Sequence, residues 1–242
     1  MQDLTGTTVL VAGASSGIGR AVTVAAADAG AYVIAFARRA DKLDQTVAAV
    51  DGAGTGSAHA CVGDANSPAD LERAVDIAIS ATGRLDAVVN SAGMNLPNRA
   101  LTALDDQTWH DLIRGNLDSA YAITQAVLPV FRRQRDGLMV HVTSRSAQTA
   151  DASGVAYQAA KAGVTALANG TRFEESANGV RVSVVFPGMT NTPLLDRRPR
   201  PPTADERLAA LQPEDVAHVV LAILTLPGRA EVPELSIYPR NT

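Results

Sequence analysis

The chain has 242 residues, 46% of them apolar and 19% charged, with a formal net charge of −4. This is the profile of an ordinary globular protein long enough to bury its own core, and the mildly acidic balance gives it no general attraction for nucleic acid or anionic lipid. The one cysteine, Cys61, allows no internal disulfide and no zinc framework, which excludes stapled folds and fits a reducing, cytoplasmic setting. The opening MQDLTGTTVL has no basic stretch ahead of an apolar one, and the apolar run at 216–226 contains His218 and is too short for a bilayer. Neither a signal peptide nor a membrane span is expected.

The first β-branched run, 8–11, passes directly into Gly13-Ala14-Ser15-Ser16-Gly17-Ile18-Gly19 and then into a helix predicted over 17–29. Residues without a Cβ permit a tight turn and let the backbone approach a pyrophosphate at a helix N-terminus. The spacing is GxxxGxG rather than the common GxGxxG fingerprint, and a turn used only for packing would look the same. The residues also read GxSxG around Ser15, the nucleophile elbow of a serine hydrolase. That fold draws an oxyanion-hole amide from a loop after an earlier strand, whereas twelve residues and one strand precede Gly13. His218, the available late base, reads as a partly buried structural histidine in an apolar helix.

The second strand, 32–36, ends in Ala37-Arg38-Arg39. A dinucleotide fold places a carboxylate here for a ribose 2′-hydroxyl, or an arginine for a 2′-phosphate. Arg38, immediately after the strand, reads as the phosphate contact, and Arg39 alone would read as solvated surface charge. A helix over 40–50 follows, then a flexible loop with Gly52, Gly54 and Gly56, a strand at 58–62, and a helix over 68–82 with Ser67 as cap and Pro68 in its first turn. Strands at 85–89, 138–142 and 180–186 alternate with long helices over 105–131 and 154–177. An irregular Pro- and Arg-rich stretch, 188–212, precedes a helix over 213–225 and a weaker strand at 234–238. The alternation predicts a single α/β domain: a doubly wound parallel sheet of about seven strands with helices on both faces.

Tyr157 and Lys161 fall on one face of the helix over 154–177. A nearby ammonium favours the phenolate, so the pair suits general acid–base work. With four tyrosines and two lysines in the chain, chance alone yields such a pair about 3% of the time.

Taken together, the chain resembles the classical short-chain dehydrogenase/reductases over essentially its whole length. The residues that carry the likeness are Gly13, Gly17 and Gly19, Asp64, Asn90-Ser91-Ala92-Gly93, Asn116, Ser144, Tyr157 with Lys161, and Pro187-Gly188, each after the right element. The resemblance implies a Rossmann-type fold and a carbonyl–alcohol oxidoreductase using NADP(H). Tyr157 would be the acid/base, Ser144 a hydrogen-bond donor to the substrate oxygen, and Lys161 a support for the phenol and the nicotinamide ribose. Asn116 would anchor a relay water. Coenzyme contacts are implied for Gly13, Ser15, Ser16, Gly17, Ile18, Gly19, Arg38, Arg39, Asp64, Asn90, Ala92, Gly93, Tyr157, Lys161, Pro187, Gly188, Thr190 and Thr192. Without function, Asn116 would kink its helix, Ser144 close a turn and Asn90 tie adjacent strands.

Three departures stand out. Ala12 and Ser91 occupy positions where the family often has Thr and Asn, and the C-terminus lacks the Gly-Gly of many ketoacyl reductases, so it looks more like the NADP-preferring branch acting on small hydroxy acids and alcohols. A small-molecule substrate would meet Met94, Ser144, Tyr157, Met189, Leu194 and Leu195, with Leu96 nearby. Arg145, Arg197 and Arg198 could meet an anionic group, although surface charge is the plainer reading of each. Residues 189–212 read as a mobile lid. Family resemblance also implies a homotetramer assembled through the helices over 105–131 and 154–177. A dinucleotide sensor without turnover is the non-enzymatic alternative, which the intact set of Asn116, Ser144, Tyr157 and Lys161 disfavours.

Overall fold

The computed structural model describes residues 3–50 and 56–240, so Gly52 and Gly54 lie outside the described residues. In chain order the elements are β1 (Thr8–Ala12), α1 (Gly17–Asp28), β2 (Tyr32–Ala37), α2 (Ala40–Ala48), β3 (Ser57–Val62), α3 (Pro68–Thr82), β4 (Ala87–Asn90), α4 (Asp106–Ile113), α5 (Ser119–Gln134), β5 (Gly137–Val142), α6 (Val155–Glu175), β6 (Val180–Pro187), α7 (Ala204–Ala209), α8 (Pro213–Leu224) and β7 (Glu234–Ile237). The seven strands form one parallel sheet in the order β3-β2-β1-β4-β5-β6-β7. The order reverses at β1, and the connections that leave the paired strands β1 and β4 diverge there, opening a crevice at their carboxyl ends.

The central strands are apolar without alternation because helices cover both faces. Val9, Val11, Val33 and Ala35 point to one core with Val22 and Ala26 of α1 and Val216 and Val220 of α8. Leu10, Ile34, Val88 and Met139 point to the other, with Leu71 of α3, Ile123, Val127 and Phe131 of α5, and Ala168 of α6. Edge strand β7 alternates exposed and half-buried residues, which explains its weak signal. Among the described residues, no helix is long and apolar enough to cross a membrane.

Three local expectations are corrected. The helix predicted over 105–131 is interrupted by a π-helical turn, Arg114–Asp118. Asn116 Nδ2 donates to the Leu112 carbonyl at 2.8 Å, taking the acceptor that an α-helix would give to the backbone, and the register slips there. Gly56 is a packing residue, since a Cβ on it would strike the Ala27 and Ala31 backbone. The stretch 188–212 is folded: a 3-10 turn (Pro193–Arg197), then α7 with a Thr203–Glu206 capping box, its ends joined by the Thr190–Leu211 bridge. Pro199, Pro201 and Pro202 fall between these two pieces.

Candidate active site

A cleft of about 520 Å³ opens at the carboxyl ends of β1, β2, β3 and β4, where the reversal of strand order predicts it. Its floor is the glycine turn, with Gly13, Ser15, Ser16, Gly17 and Ile18 in its lining. Gly13 has φ +84°, and a Cβ there would lie 2.8 Å from the Ser91 and Ala92 backbone; the two turns touch main chain to main chain. Gly19 packs against the Gly13 carbonyl and does not line the cleft. Ser16 caps α1 without a side-chain hydrogen bond, leaving first-turn N–H groups for an anionic ligand. This small-residue cradle beside an open helix N-terminus fits a dinucleotide pyrophosphate.

Arg38 and Arg39 line the outer rim with Ala37, Asp64 and Asn66. Arg39 Nη2 donates to the Ser15 and Ser16 hydroxyls at 2.9 and 2.8 Å, so it is organised over the glycine turn rather than simply solvated. Arg38 is exposed, with no ion pair or hydrogen bond among the described residues. Asp64 Oδ1 accepts from the Asn66 backbone and side-chain N–H groups, at 2.9 and 3.2 Å. The hydrolase alternative loses its nucleophile here: Ser15 is held by Arg39, while His218 is exposed on α8 and its Nδ1 lies 2.8 Å from the Glu214 carbonyl.

Further in, Ala92, Gly93 and Met94 form the wall. Asn90 is buried behind it, accepting from Ala92 N at 3.1 Å and reaching His141 Nδ1 at 3.3 Å. It ties β4 to β5 and shapes the turn without lining the cleft. Asn116, 1% exposed, has its amide engaged with backbone: Oδ1 accepts from Met94 N at 3.2 Å and Nδ2 donates to Met94 O at 2.9 Å. A Cβ on Gly93 would meet Asn116 Oδ1 at 2.8 Å and Lys161 Nζ at 3.1 Å, so the wall separates the cleft from the catalytic set by one backbone layer.

Tyr157 and Lys161 stand in the first two turns of α6, 7% and 5% exposed. Lys161 Nζ lies 5.8 Å from the Tyr157 ring centre and donates to Val142 O at 3.4 Å. The reading that the ammonium lowers the phenol is corrected: burial pushes Tyr157 up to about 12, against a downward pull from the Ser144 hydroxyl. Asp151 raises it further, whereas Arg99 and Arg198 lower it. Burial also draws Lys161 down to about 8. Ser144 Oγ donates to Ser146 Oγ at 3.0 Å, and Ser146 Oγ is in turn 2.9 Å from Asp151 Oδ2 and 3.0 Å from Ser153 Oγ. The sequence reading missed this Ser146–Asp151–Ser153 network and also Arg99, whose loop carries no periodic pattern.

The remaining expected residues divide. Thr192 and Leu194 line the cleft, but Leu195 is buried away from it and anchors the 3-10 turn. Pro187, Gly188 and Thr190 form the root of that segment: Gly188 packs on Pro239, and Thr190 Oγ1 donates to Gly188 O at 3.0 Å. Met189 Sδ faces Arg198 Nη1 at 3.6 Å. Arg145 lies over the Tyr238 ring at 5.5 Å, which accounts for it without a ligand, and Arg197 lines the cleft.

Residues 7–202 match the short chain dehydrogenase family. An uncharacterized oxidoreductase of Staphylococcus aureus (strain USA300) is 31% identical over 239 residues, covering 99% of this chain and all of its own. Among solved structures, the closed form of serine dehydrogenase complexed with NADP+ is 26% identical with a TM-score of 0.88, over 98% of this chain and 96% of the other. A metagenomic short-chain oxidoreductase in complex with NADP is 28% identical with a TM-score of 0.83, over 99% of both chains.

Proposed function

The chain is an oxidoreductase of the short-chain dehydrogenase/reductase family, and from that premise we propose that it interconverts a carbonyl and an alcohol on a small molecule using NADP(H), with Tyr157 as the acid/base. The observation that carries this reading is the buried Tyr157, with half-buried Ser144 acting on its phenol, on the helix whose Lys161 stands one backbone layer from a cleft that fits a dinucleotide. Bound there, the nicotinamide supplies or accepts the hydride.

The protein residues then have separable tasks. A phenol held near 12 keeps its proton at neutral pH, so Tyr157 is poised to donate to the carbonyl oxygen as reduction proceeds. Ser144 turns its hydroxyl from Ser146 to that same oxygen, and Ser146, already bonded to Asp151, fixes where Ser144 sits. Lys161, mostly protonated at pH 7, presents its ammonium beside Gly93, towards the place of the nicotinamide ribose. Asn116 holds the Met94 wall in position through its two backbone bonds.

Preference for NADP(H) is supported by Arg38 and Arg39 at the end of β2, with no carboxylate between them and the strand, and by the NADP bound in the two similar structures. The decisive assay follows NADPH and NADH absorbance over a panel of ketones, aldehydes and secondary alcohols. No turnover with any of them would defeat the reading. A cytoplasmic homotetramer completes the proposal. Cys61 is a buried free thiol, and α5 and α6 expose Tyr121 and Phe173 beside small residues such as Ala159 and Ala166. A monomeric mass in light scattering at micromolar concentration would contradict the assembly.

A further inference from the structure

Arg99 is a buried guanidinium with too few partners. It lies in the loop between β4 and α4, is 5% exposed, and donates one Nη to the Arg197 carbonyl at 2.5 Å. Among the described residues its Nε has no hydrogen-bond partner, and no carboxylate stands within ion-pair distance of it. A charge withdrawn from water in this way is costly unless something pairs with it.

Its placement is specific. Gly154, the residue that caps α6, has φ +90°, and a Cβ there would come 2.5 Å from the Arg99 carbonyl oxygen and 2.7 and 3.0 Å from its Cβ and Cγ. The stem of Arg99 therefore rests on the first turn of the helix that carries Tyr157. Arg198 reaches the same region from the loop after β6, its Nη1 against Met189 Sδ. Burial and then the charge of Arg198 hold Arg99 below its ordinary value, while both cations act on the Tyr157 phenol. Asp151 is the one carboxylate that acts on Arg99, and it already accepts from Ser146 Oγ and Ser153 N. Two guanidinium groups are thus brought together beside the acid/base, and an anion is what would complete the group.

We propose that Arg99 and Arg198 read a compact oxyanion on the substrate, so that the molecule reduced or oxidised carries a carboxylate or phosphate a few bonds from the carbon that exchanges hydride. The proposal rests on the oxidoreductase reading above and deepens it by naming the substrate class. Both oxyanions suit the planar fork of a guanidinium, and the unpartnered Nε leaves part of that fork free on Arg99. The Arg197 carbonyl on the other Nη belongs to the 3-10 turn, so seating an anion also draws that segment down over the reacting group.

The test uses matched pairs with the NADPH-loaded protein: 4-oxopentanoate and 2-oxobutanoate against their methyl esters, and dihydroxyacetone phosphate against dihydroxyacetone. We expect the anionic member of at least one pair to have a kcat/KM about 100-fold above its neutral partner, through KM, and each of Arg99→Gln and Arg198→Gln to cut that ratio about tenfold or more. The carboxylate and phosphate pairs tell the two oxyanions apart. Because Arg99→Gln could loosen the fold, the wild-type ratio and the Arg198→Gln variant stand as independent readouts, alongside the rise in Tm produced by each probe. Neutral and anionic partners turned over alike, or the ratio surviving both substitutions, would overturn the anion site and leave the oxidoreductase reading intact. An anion that raises Tm through both arginines with no hydride transferred to any probe would do the reverse. Neither binding nor turnover by any anion would also overturn the site.

Discussion

The coenzyme side and the substrate side of this molecule are built by different means. On the first, at the carboxyl ends of β1, β2 and β3, the floor runs from backbone to backbone, with Gly13 N donating to Phe36 O at 2.9 Å and a Cβ on Gly13 meeting the Ser91 and Ala92 main chain, and side chains such as Arg39 enter only at the rim. On the second, around Tyr157, the surroundings come from side chains on the 94–99 loop, the 145–153 segment and the stretch after β6, with no acidic ion-pair partner for Arg99 or Arg198 among the described residues. A ligand common to a whole family can be met by main chain, whereas a particular substrate has to be met by side chains brought from distant loops.

The sharpest way to separate the two sides is Tyr157→Phe, which removes the proton donor and almost no volume. We expect kcat to fall about 1,000-fold while the Kd for NADPH, measured by fluorescence, stays within a factor of about two. Retained turnover would take the acid/base away from Tyr157 and with it the division just drawn.

His141 sits where the sides join, on β5 beside Asn90 of β4, with Nε2 buried and without a partner among the described residues. Burial draws it down to about 4, with Lys161 acting in the same sense. A group depressed in the folded state contributes stability that is present above its unfolded value near 6.5 and lost as pH falls through the folded one. The protein should therefore lose about 3 kcal/mol between pH 6.5 and 4 from this group alone. Urea unfolding across that range, with His141→Gln as the control lacking this increment, measures it; equal acid sensitivity of the two proteins would contradict the assignment.

On the coenzyme side, the double variant Ala37→Asp/Arg38→Ala exchanges a guanidinium for a carboxylate at the end of β2. The ratio of kcat/KM for NADPH over NADH should fall about 10- to 100-fold, the worth of one or two charge-assisted bonds to a phosphate. A wild-type protein that already favours NADH would break this prediction at the outset.

The same contrast explains what was legible in the sequence. Strand runs such as 32–36 and the GxxxGxG turn are local patterns, and so is the Tyr157–Lys161 spacing, so both the sheet and the acid/base candidates could be read from neighbouring residues. The π-helical turn could not, because it depends on Asn116 choosing the Leu112 carbonyl over solvent, and nothing in the apolar periodicity of 105–131 records that choice. Arg99 was invisible for a stronger reason: its burial exists only once Gly154, far along the chain, has brought the start of α6 against it. The ordering of the Arg-rich stretch 188–212 was equally hard to read, since it depends on Arg200 pairing with Glu206 and Arg207 with Asp196 once the segment has folded.

Those pairings reshape the smallest prediction, that the segment after β6 closes over substrate. Its two ends are fastened: Asn191 N donates to Leu211 O at 2.7 Å, Leu211 N to Met189 O at 3.0 Å, and Arg207 Nη1 to Asn191 Oδ1 at 3.1 Å. We propose that the folded piece between them, 193–206, swings as a unit against ties made by Leu195, the Arg99–Arg197 bond, the Asp196–Arg207 pair and the Arg198–Met189 contact. Leu194, half-buried and lining the cleft, is the apolar face it presents, while Leu195 is its anchor. Leu194→Ala should therefore raise KM about fivefold with little change in kcat, the worth of roughly 1 kcal/mol of apolar contact. Hydrogen exchange should show 193–206 gaining protection when NADPH and substrate are both present, while 189–191 and 211 change little. Equal protection of 193–206 in both states would mean that the segment is a fixed wall, and an unchanged KM in Leu194→Ala would remove it from the substrate side altogether.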